Sequence, residues 1–255
     1  TQGGNQAFTS LAMSSASGNA YSATVPASEV TRNGLIYFIQ AEDDLGYISN
    51  SDTIGVEINF SNGDLSTSSA VNSAYTTGFP TDKWRLISIP GNVSDNQVGN
   101  VIGDELGSQT STTWRIFEWD DVSLSYKENP INFVNGESFW LYQKVEDNLL
   151  ISAPAGATGN MSGTSLTVKP GWNLIGSPYS FPVEMVLDQA QYFGPIAYGL
   201  SGESWSDVTT ELRPWSGYAL YNRTTSDQTV VIDPIQSTTG TLIRSHAMDD
   251  GWQGN

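Results

Sequence analysis

Two stretches of the chain repeat the same pattern of apolar and polar positions. In each copy, an apolar strand is followed by a block rich in aromatic residues and then by an apolar strand that ends on proline. The matched segments are 83–90 with 169–178, 135–142 with 214–221, and 149–154 with 230–234. Self-similarity of this kind predicts an internal duplication.

The first copy is predicted to fold as β-strands with one short helix. Proline stops the strand that begins at Trp84, and residues 139–142 are apolar at four successive positions, which suits a central strand covered on both sides. Between these strands, apolar residues from Val98 to Leu106 recur at helical spacing. A short helix is therefore expected there.

The second copy is predicted to contain the same elements in a shorter span. Residues 182–187 again place apolar side chains at helical spacing, with proline in the first turn, and predict a second short helix. Trp84 and Phe139 are 55 positions apart, whereas Trp172 and Tyr218 are 46 apart, a difference of nine. We expect this difference to lie in a surface loop.

Residues 1–60 are predicted to form a β unit that contains a hairpin. The β-rich run 35–41 leads into the acidic turn 42–46, and residues 51–58 form the returning strand. This pattern resembles the last strands of an immunoglobulin-like or fibronectin type III-like module of bacterial surface proteins. Such modules have about seven strands, so the first strands are expected to be missing or to precede Thr1.

The remaining segments are predicted to join these units. Runs rich in Ser, Asn, Gly and Asp indicate a linker and a connector. The predicted organisation is a partial immunoglobulin-like unit at 1–60, a linker at 61–74, β repeat 1 at 75–154, a connector at 155–165, β repeat 2 at 166–235, and a tail or the start of a further domain at 236–255. The expected fold class is all-β: a partial immunoglobulin-like β-sandwich, then a duplicated antiparallel β unit whose copies have a pseudo-twofold relation. Both ends are typical of cuts inside a longer chain.

Composition narrows the classes of function. The formal net charge is −17, with 27 acidic and 10 basic residues, which argues against binding to nucleic acid or to an anionic membrane surface. The chain has no cysteine, which excludes disulfide bonds and thiolate metal sites. No apolar run reaches the ~18 residues that a membrane-spanning helix requires. The many Ser, Thr, Asn, Gly and aromatic residues favour a secreted or cell-surface location.

The duplicated region contains one fairly specific sequence element. It is G-W-N-L-I-G-S-P at 171–178, matched by W-R-L-I-S-I-P at 84–90 and followed by P-W-S-G-Y at 214–218. With these elements, the region from about residue 75 to 235 resembles a module of large multidomain secreted proteins of Gram-negative bacteria. Those chains often carry immunoglobulin-like modules and a C-terminal sorting segment. The resemblance implies a non-catalytic β module and transfers no site residues.

Tryptophans are candidates for ligand contact. Trp84 and Trp172 repeat at matching positions, which favours a packing role in both copies. Tryptophans without a counterpart are better candidates for ligand contact at the surface, such as stacking on sugars, although burial in the core is the alternative for each. These candidates are Trp114, Trp119, Trp205 and Trp215.

Acidic residues supply two weaker groups of candidates. Calcium prefers several oxygen ligands from one loop, and the residues that flank the hairpin are Asp43, Asp44 and Asp52. A glycosidase requires paired carboxylates, and the acids nearest to aromatic residues are Glu118, Asp120, Asp121 and Glu137. In both groups a turn role is the alternative, because Asp is favoured there for its backbone hydrogen bonds. The single histidine, His246, lies in the polar tail and cannot form a zinc site alone.

These observations favour a non-catalytic structural or adhesive module of a larger secreted or cell-surface bacterial protein. The first alternative is a carbohydrate-binding module attached to a polysaccharide-degrading enzyme, and the second is a hydrolase fragment that uses paired carboxylates. No cofactor is expected, calcium being the one that the sequence leaves open. The expected partners are other domains of the same parent chain, with a polysaccharide or another surface protein as further options. Neither nucleic acid nor membrane insertion is expected.

Overall fold

The chain folds almost entirely as antiparallel β-strands. The computed structural model describes residues 1–3, 7–61, 65–68, 70, 73–154, 158–159, 161–199 and 203–234. Strands make up 41% of the structure and helices 5%, so the prediction of an all-β fold is confirmed.

The N-terminal strands form two-stranded pairs. They are β1 (Ser14–Ser17), β2 (Ala20–Ser22), β3 (Leu35–Tyr37), β4 (Gln40–Glu42), β5 (Ile48–Asn50), β6 (Ile54–Val56) and β7 (Ile58–Asn59), with a 3₁₀ turn at Ala27–Glu29. β1 pairs with β2, β3 with β6, and β4 with β5, so the predicted hairpin is confirmed as two nested pairs. Ile36 of β3 packs into the core of repeat 2. The relation of this unit to immunoglobulin-like modules stays a prediction.

Repeat 1 is a four-stranded sheet with two single-turn helices. Its elements are β8 (Trp84–Ile87), α1 (Val98–Val101), α2 (Gly103–Leu106), β9 (Trp114–Asp120), β10 (Ser125–Glu128) and β11 (Phe139–Gln143). The strand order across the antiparallel sheet is β10-β9-β11-β8. The predicted helix is thus present as two successive turns.

Repeat 2 forms a sheet with the same strand order. The elements that follow β11 are β12 (Thr158–Gly159), β13 (Thr164–Val168), β14 (Gly171–Gly176), β15 (Val183–Glu184), β16 (Tyr192–Tyr198), β17 (Trp205–Val208), β18 (Glu211–Leu212), β19 (Gly217–Asn222) and β20 (Gln228–Ile232). The order β17-β16-β19-β14 places each strand where its counterpart lies in repeat 1. In addition, β12 pairs with β7, β13 with β20 and β15 with β18. The duplication read from the sequence is therefore also a duplication of topology.

The length difference between the repeats lies in the helical segment. A bridge at Gln97 in repeat 1 stands where β15 pairs with β18 in repeat 2. From there, Trp114 of β9 follows Gln97 by 17 positions, whereas Tyr192 of β16 follows Glu184 by 8, a difference of nine. α1, Ile102 and α2 together occupy these nine positions, and their apolar side chains are buried. The prediction of a surface loop is wrong, because the extra residues contribute to the core.

The prediction of a helix at 182–187 is wrong, since Val183–Glu184 is strand β15. Val183 and Met185 are buried while Glu184 and Val186 are exposed, which is the alternation of a strand. A six-residue pattern fits the helical and the strand period alike, and here the pairing with β18 decides.

The two repeats are related by a pseudo-twofold axis. The pairing of β8 with β11 and of β14 with β19 has the same register in both sheets. Between the repeats, one bridge joins Ile87 to Ser216, and the equivalent bridge joins Ile175 to Glu137. Equivalent positions thus make equivalent contacts across the interface, as in a symmetric dimer.

Small residues allow the two backbones to approach at this interface. Ser88 contacts Gly176, the residue at the equivalent position of repeat 2. A Cβ on Gly176 would overlap the Cβ of Ser88 and would lie 2.7 Å from the carbonyl oxygen of Glu137. In the same way, a Cβ on Gly217 would lie 2.5 Å from that of its counterpart, Ser138. Each pair therefore needs one glycine.

Each repeat encloses a hydrophobic core, and one side chain crosses from repeat 2 into repeat 1. Trp215 is 0% exposed and packs in the core of repeat 1, with Phe79, Ile87 and Phe139 among the members of that core. Its backbone φ is 66°, in the left-handed region. The equivalent residue of repeat 1 is Gly136, also left-handed, and the side chain of Leu166 fills the space beside it.

The segment predicted as a linker at 61–74 is packed where the structure describes it. Leu65 is fully buried and Ala70 is nearly so. The amide of Thr67 donates to the carbonyl of Ile151 at 2.9 Å, and that of Ala153 donates to the carbonyl of Leu65 at 2.8 Å. Composition indicated a solvated chain, but buried apolar side chains and backbone hydrogen bonds hold this segment against repeat 1.

Glu105 of α2 ties the helical segment to the last strand-like segment of repeat 1. Its Oε1 accepts hydrogen bonds from the amide and the hydroxyl of Ser152, at 2.8 and 2.7 Å. Burial, reinforced by the neighbouring Asp104, raises the pKa of Glu105 to about 7.

Replacing Glu105 with glutamine should therefore change the pH dependence of stability. In the unfolded chain this carboxyl titrates near its ordinary pKa of about 4.3. Between that pH and about 7, the folded protein binds more protons than the unfolded one, so Glu105 makes the free energy of unfolding fall as the pH rises. Glutamine keeps an acceptor for Ser152 and cannot ionise. Urea unfolding of both proteins from about pH 5 to about pH 8 should show the variant gaining relative stability with pH; parallel curves would contradict this.

Candidate functional site

An aromatic cluster lies on the outer face of the repeat 1 sheet. Because side chains alternate along a strand, Trp84 of β8, Phe117 of β9 and Tyr142 of β11 share one face. The Trp84 ring lies 5.5 Å from that of Phe117 and 5.2 Å from that of Tyr142. All three side chains are partly buried. We call these residues the repeat 1 cluster.

Repeat 2 carries a corresponding cluster that is more exposed. Trp172 and Tyr221 occupy the positions of Trp84 and Tyr142, and Phe193 completes the group. The Trp172 ring lies 5.1 Å from that of Tyr221 and 6.3 Å from that of Phe193. Trp172 is 45% exposed, Phe193 37% and Tyr221 36%. We call these three residues the repeat 2 cluster.

Basic side chains lie over both clusters, although the chain has few of them. The Arg115 guanidinium is 4.9 Å from the centre of the Phe117 ring, and Lys144 Nζ is 5.9 Å from that of Tyr142. In repeat 2 the guanidinium of Arg223 is 5.9 Å from the centre of the Phe193 ring. Lys144 and Arg223 are equivalent, because each stands two residues after the tyrosine of its cluster. Such cation–π contacts also leave the basic groups able to bind anions.

Carboxylates neutralise the basic groups of the repeat 1 cluster. The Tyr142 hydroxyl donates to Oδ1 of Asp82 at 2.8 Å, and Lys144 Nζ lies 3.4 Å from the same oxygen. The hydrogen bond from Tyr142, and then the lysine charge, lowers the pKa of Asp82. Arg115 binds Glu128 through two nitrogens, at 2.7 and 3.1 Å. This cluster is therefore satisfied from within the chain.

The repeat 2 cluster has the donors but not the carboxylate. Among the described residues, no carboxylate lies within 4.0 Å of the Arg223 guanidinium, and none accepts a hydrogen bond from the Tyr221 hydroxyl. Asp82 donates its amide to the carbonyl of Gln143, and Gly171 pairs with the equivalent residue, Asn222. Lys83 separates Asp82 from Trp84, whereas Gly171 directly precedes Trp172, and neither Gly171 nor Pro170 before it supplies a carboxylate.

The tryptophans predicted to act at the surface fall into three environments. Trp114 is 2% exposed, with its Nε1 donating to the carbonyl of Gly107 at 3.0 Å, and Trp215 is fully buried, so both lie in the core, which is the alternative to a surface role. Trp119 is half-buried and contacts Tyr126. Trp205 is 45% exposed. Its ring joins two others, those of Trp140 and Tyr198, at the contact between the repeats.

The matched tryptophans also differ from their prediction. Trp84 and Trp172 repeat because they hold the same outer-face position, and neither side chain is buried. Repetition at equal positions therefore marked a shared surface feature rather than a shared core. Alternation along β8 places Trp84 on the face opposite Ile87, which packs in the core.

The calcium candidates lie on the nested hairpin. Oδ1 of Asp43 accepts hydrogen bonds at 2.9 Å from the amides of Leu45 and Tyr47, which is the turn role of aspartate. Asp44 and Asp52 are exposed nearby in the chain. In the part of the chain that the structure describes, no group of three or more His, Asp or Glu side chains could hold a metal ion.

The paired-carboxylate candidates lie where β9 ends. Asp120 is held by Lys127 Nζ at 2.8 Å and by the Ser123 hydroxyl at 2.7 Å, which shows a turn role. Burial, and then the charges of Glu118 and Asp121, raises the pKa of Glu137. Cavities of about 310 and 220 Å³ are present, but other residues line them.

Comparisons with protein-family models, curated proteins and solved structures found no match to this chain. No helix in the described residues is long and apolar enough to cross a membrane. His246 and the tail at 236–255 lie outside the described residues.

Proposed function

We propose that the chain is a non-catalytic structural or adhesive module of a larger secreted or cell-surface protein. The observation that carries the proposal is the pairing of the repeats, in which equivalent bridges and the buried Trp215 join two sheets into one unit. A unit of this kind can hold neighbouring domains apart and expose contact surfaces. The resemblance of residues 171–178 to elements of secreted multidomain proteins supports the same function and location.

The two repeats should accordingly unfold in one transition. Because Trp215 of repeat 2 belongs to the core of repeat 1, that core is incomplete when the repeats separate. Urea unfolding followed by tryptophan fluorescence and by far-ultraviolet circular dichroism should give coincident curves. Two separated transitions would contradict a unit that acts as one spacer.

The carbohydrate-binding alternative is favoured by the exposure of the repeat 2 cluster. Its rings, however, meet edge to face, with interplanar angles of 71° and 73° at Trp172. A flat stacking surface for successive sugars needs rings that face the ligand together. The structural or adhesive function therefore has the better support.

Polysaccharide assays separate these functions. We expect wild-type protein to release no reducing ends from a panel of polysaccharides and to migrate without retardation through gels that contain them. Retardation lost in Trp172→Ala and kept in the matched Trp84→Ala variant would establish the carbohydrate-binding alternative instead. Release of reducing ends that is lost in Glu137→Gln would establish a hydrolase.

A further inference from the structure

The repeat 1 cluster binds a carboxylate from its own chain. Asp82 lies in the turn before β8, and its carboxylate accepts a hydrogen bond from the Tyr142 hydroxyl and faces the Lys144 ammonium group. The ring of Trp84 lies beside that of Tyr142. The Asp82 carboxylate thus lies beside one tyrosine hydroxyl and one ammonium group, and an aromatic side chain packs next to that tyrosine.

Repeat 2 keeps every member of this set except the aspartate. Tyr221, Arg223 and Trp172 occupy the equivalent positions. The residues before Trp172 are Pro170 and Gly171, so the acid is absent, and among the described residues a Cβ on Gly171 would meet no atom within 4 Å beyond its chain neighbours. The repeat 2 cluster therefore lacks the carboxylate that repeat 1 supplies from its own chain.

We propose that the repeat 2 cluster, with Arg223, binds an aspartate or glutamate side chain of a partner protein segment. The guanidinium and the Tyr221 hydroxyl bind the carboxylate, and the Trp172 ring packs against the rest of the segment. This inference rests on the proposed adhesive function and names the chemistry of its partner.

Charge and precedent both favour an acidic peptide. On a chain of net charge −17, an exposed guanidinium without a carboxylate within 4.0 Å among the described residues is a local site for an anion. The carboxylate seen in repeat 1 belongs to a peptide turn rather than to a sugar. The edge-to-face rings fit a peptide side chain better than the flat face of a uronic acid.

The test is a titration of the full chain with a blocked pentapeptide in which two aspartates alternate with glycines. Binding is followed by nuclear magnetic resonance shifts of the indole N–H signals, with the asparagine version of the peptide as control. We expect saturable shifts at Trp172 with the aspartate peptide alone. Arg223→Gln should weaken binding about tenfold or more, whereas the matched Lys144→Gln should leave the affinity unchanged.

Two exchanges between the repeats sharpen the test. Gly171→Asp supplies an internal carboxylate and should abolish binding, whereas Gly171→Asn imposes a similar backbone cost at φ 91° and should retain it. Conversely, Asp82→Gly should open the repeat 1 cluster and raise the stoichiometry from one peptide to two. Circular dichroism confirms that each variant is folded.

Several results would overturn the proposal. Equal binding of the aspartate and asparagine peptides would remove the role of the carboxylate. Binding of polygalacturonate that depends on Arg223, with none of the peptide, would assign the site to an acidic glycan. No binding by folded protein would refute the site while leaving the proposed spacer function, which is tested by unfolding and by polysaccharide assays, unaffected.

Discussion

Trp215→Ala should lower the free energy of unfolding by about 3–5 kcal/mol, the usual loss for a buried large aromatic side chain. The indole of Trp215 is fully buried in repeat 1 although the residue belongs to repeat 2, so truncation leaves a cavity in the repeat 1 core. Its Nε1 has no hydrogen-bond partner among the described residues, and packing therefore accounts for most of the loss.

Urea unfolding followed by circular dichroism measures this effect. Trp172→Ala is the matched control, because that side chain is 45% exposed on the outer face of repeat 2 and its removal should cost much less. Trp215→Gly tests the backbone separately, since glycine adopts the left-handed conformation without strain, as Gly136 does in repeat 1. Its loss should not exceed that of Trp215→Ala. Equal losses for the alanine variants of Trp172 and Trp215 would show that Trp215 does not join the repeats.

The second large effect is expected from Gly176→Ser, which should destabilise the protein by about 1–3 kcal/mol or more. The new Cβ would overlap that of Ser88 and crowd the carbonyl oxygen of Glu137, neither of which is the end of a flexible chain. The backbones would have to separate, and the bridges on both sides of the axis would weaken.

Exchanging the pair tests the pseudo-twofold relation itself. In the double variant Ser88→Gly with Gly176→Ser, one serine again faces one glycine across the axis. The Ser88 hydroxyl donates to the carbonyl of Ser216 at 2.8 Å, and a serine at 176 would meet the equivalent carbonyl, that of Glu137. We expect the double variant to recover most of the stability lost in Gly176→Ser. If the double variant loses as much stability as Ser88→Gly and Gly176→Ser lose together, the two positions are not equivalent.

The strands and the duplication could be predicted from the sequence because they depend on local pattern. A run such as 139–142 and a matched block such as 171–178 carry their periodicity with them. The segment 182–187 failed because it is too short to distinguish the two periods, and its state is set by the distant strand β18. Likewise, the packing of Leu65 depends on contacts with residues 151–153, far along the chain.

The candidate site was only partly predictable, and for a physical reason. That Trp84 and Trp172 are equivalent can be read directly, but whether a face is covered depends on tertiary packing. Trp215 could not be placed from its own repeat, because its partners lie in the other one. The hydrogen bond from Tyr142 to Asp82 joins residues 60 positions apart, and no sequence pattern around either residue indicates it.

The axis contacts have a further consequence for which copies can pair. Two copies of repeat 1 in this arrangement would set Ser88 against Ser88 and would leave Gly136 in place of the indole on both sides. Two copies of repeat 2 would set Gly176 against Gly176 and would direct two indoles inward. The backbone of the interface is symmetric, but its side chains are complementary. Repeat 1 therefore packs against repeat 2, and neither repeat packs well against a second copy of itself. Neighbouring molecules can therefore lie close together without like repeats pairing between chains.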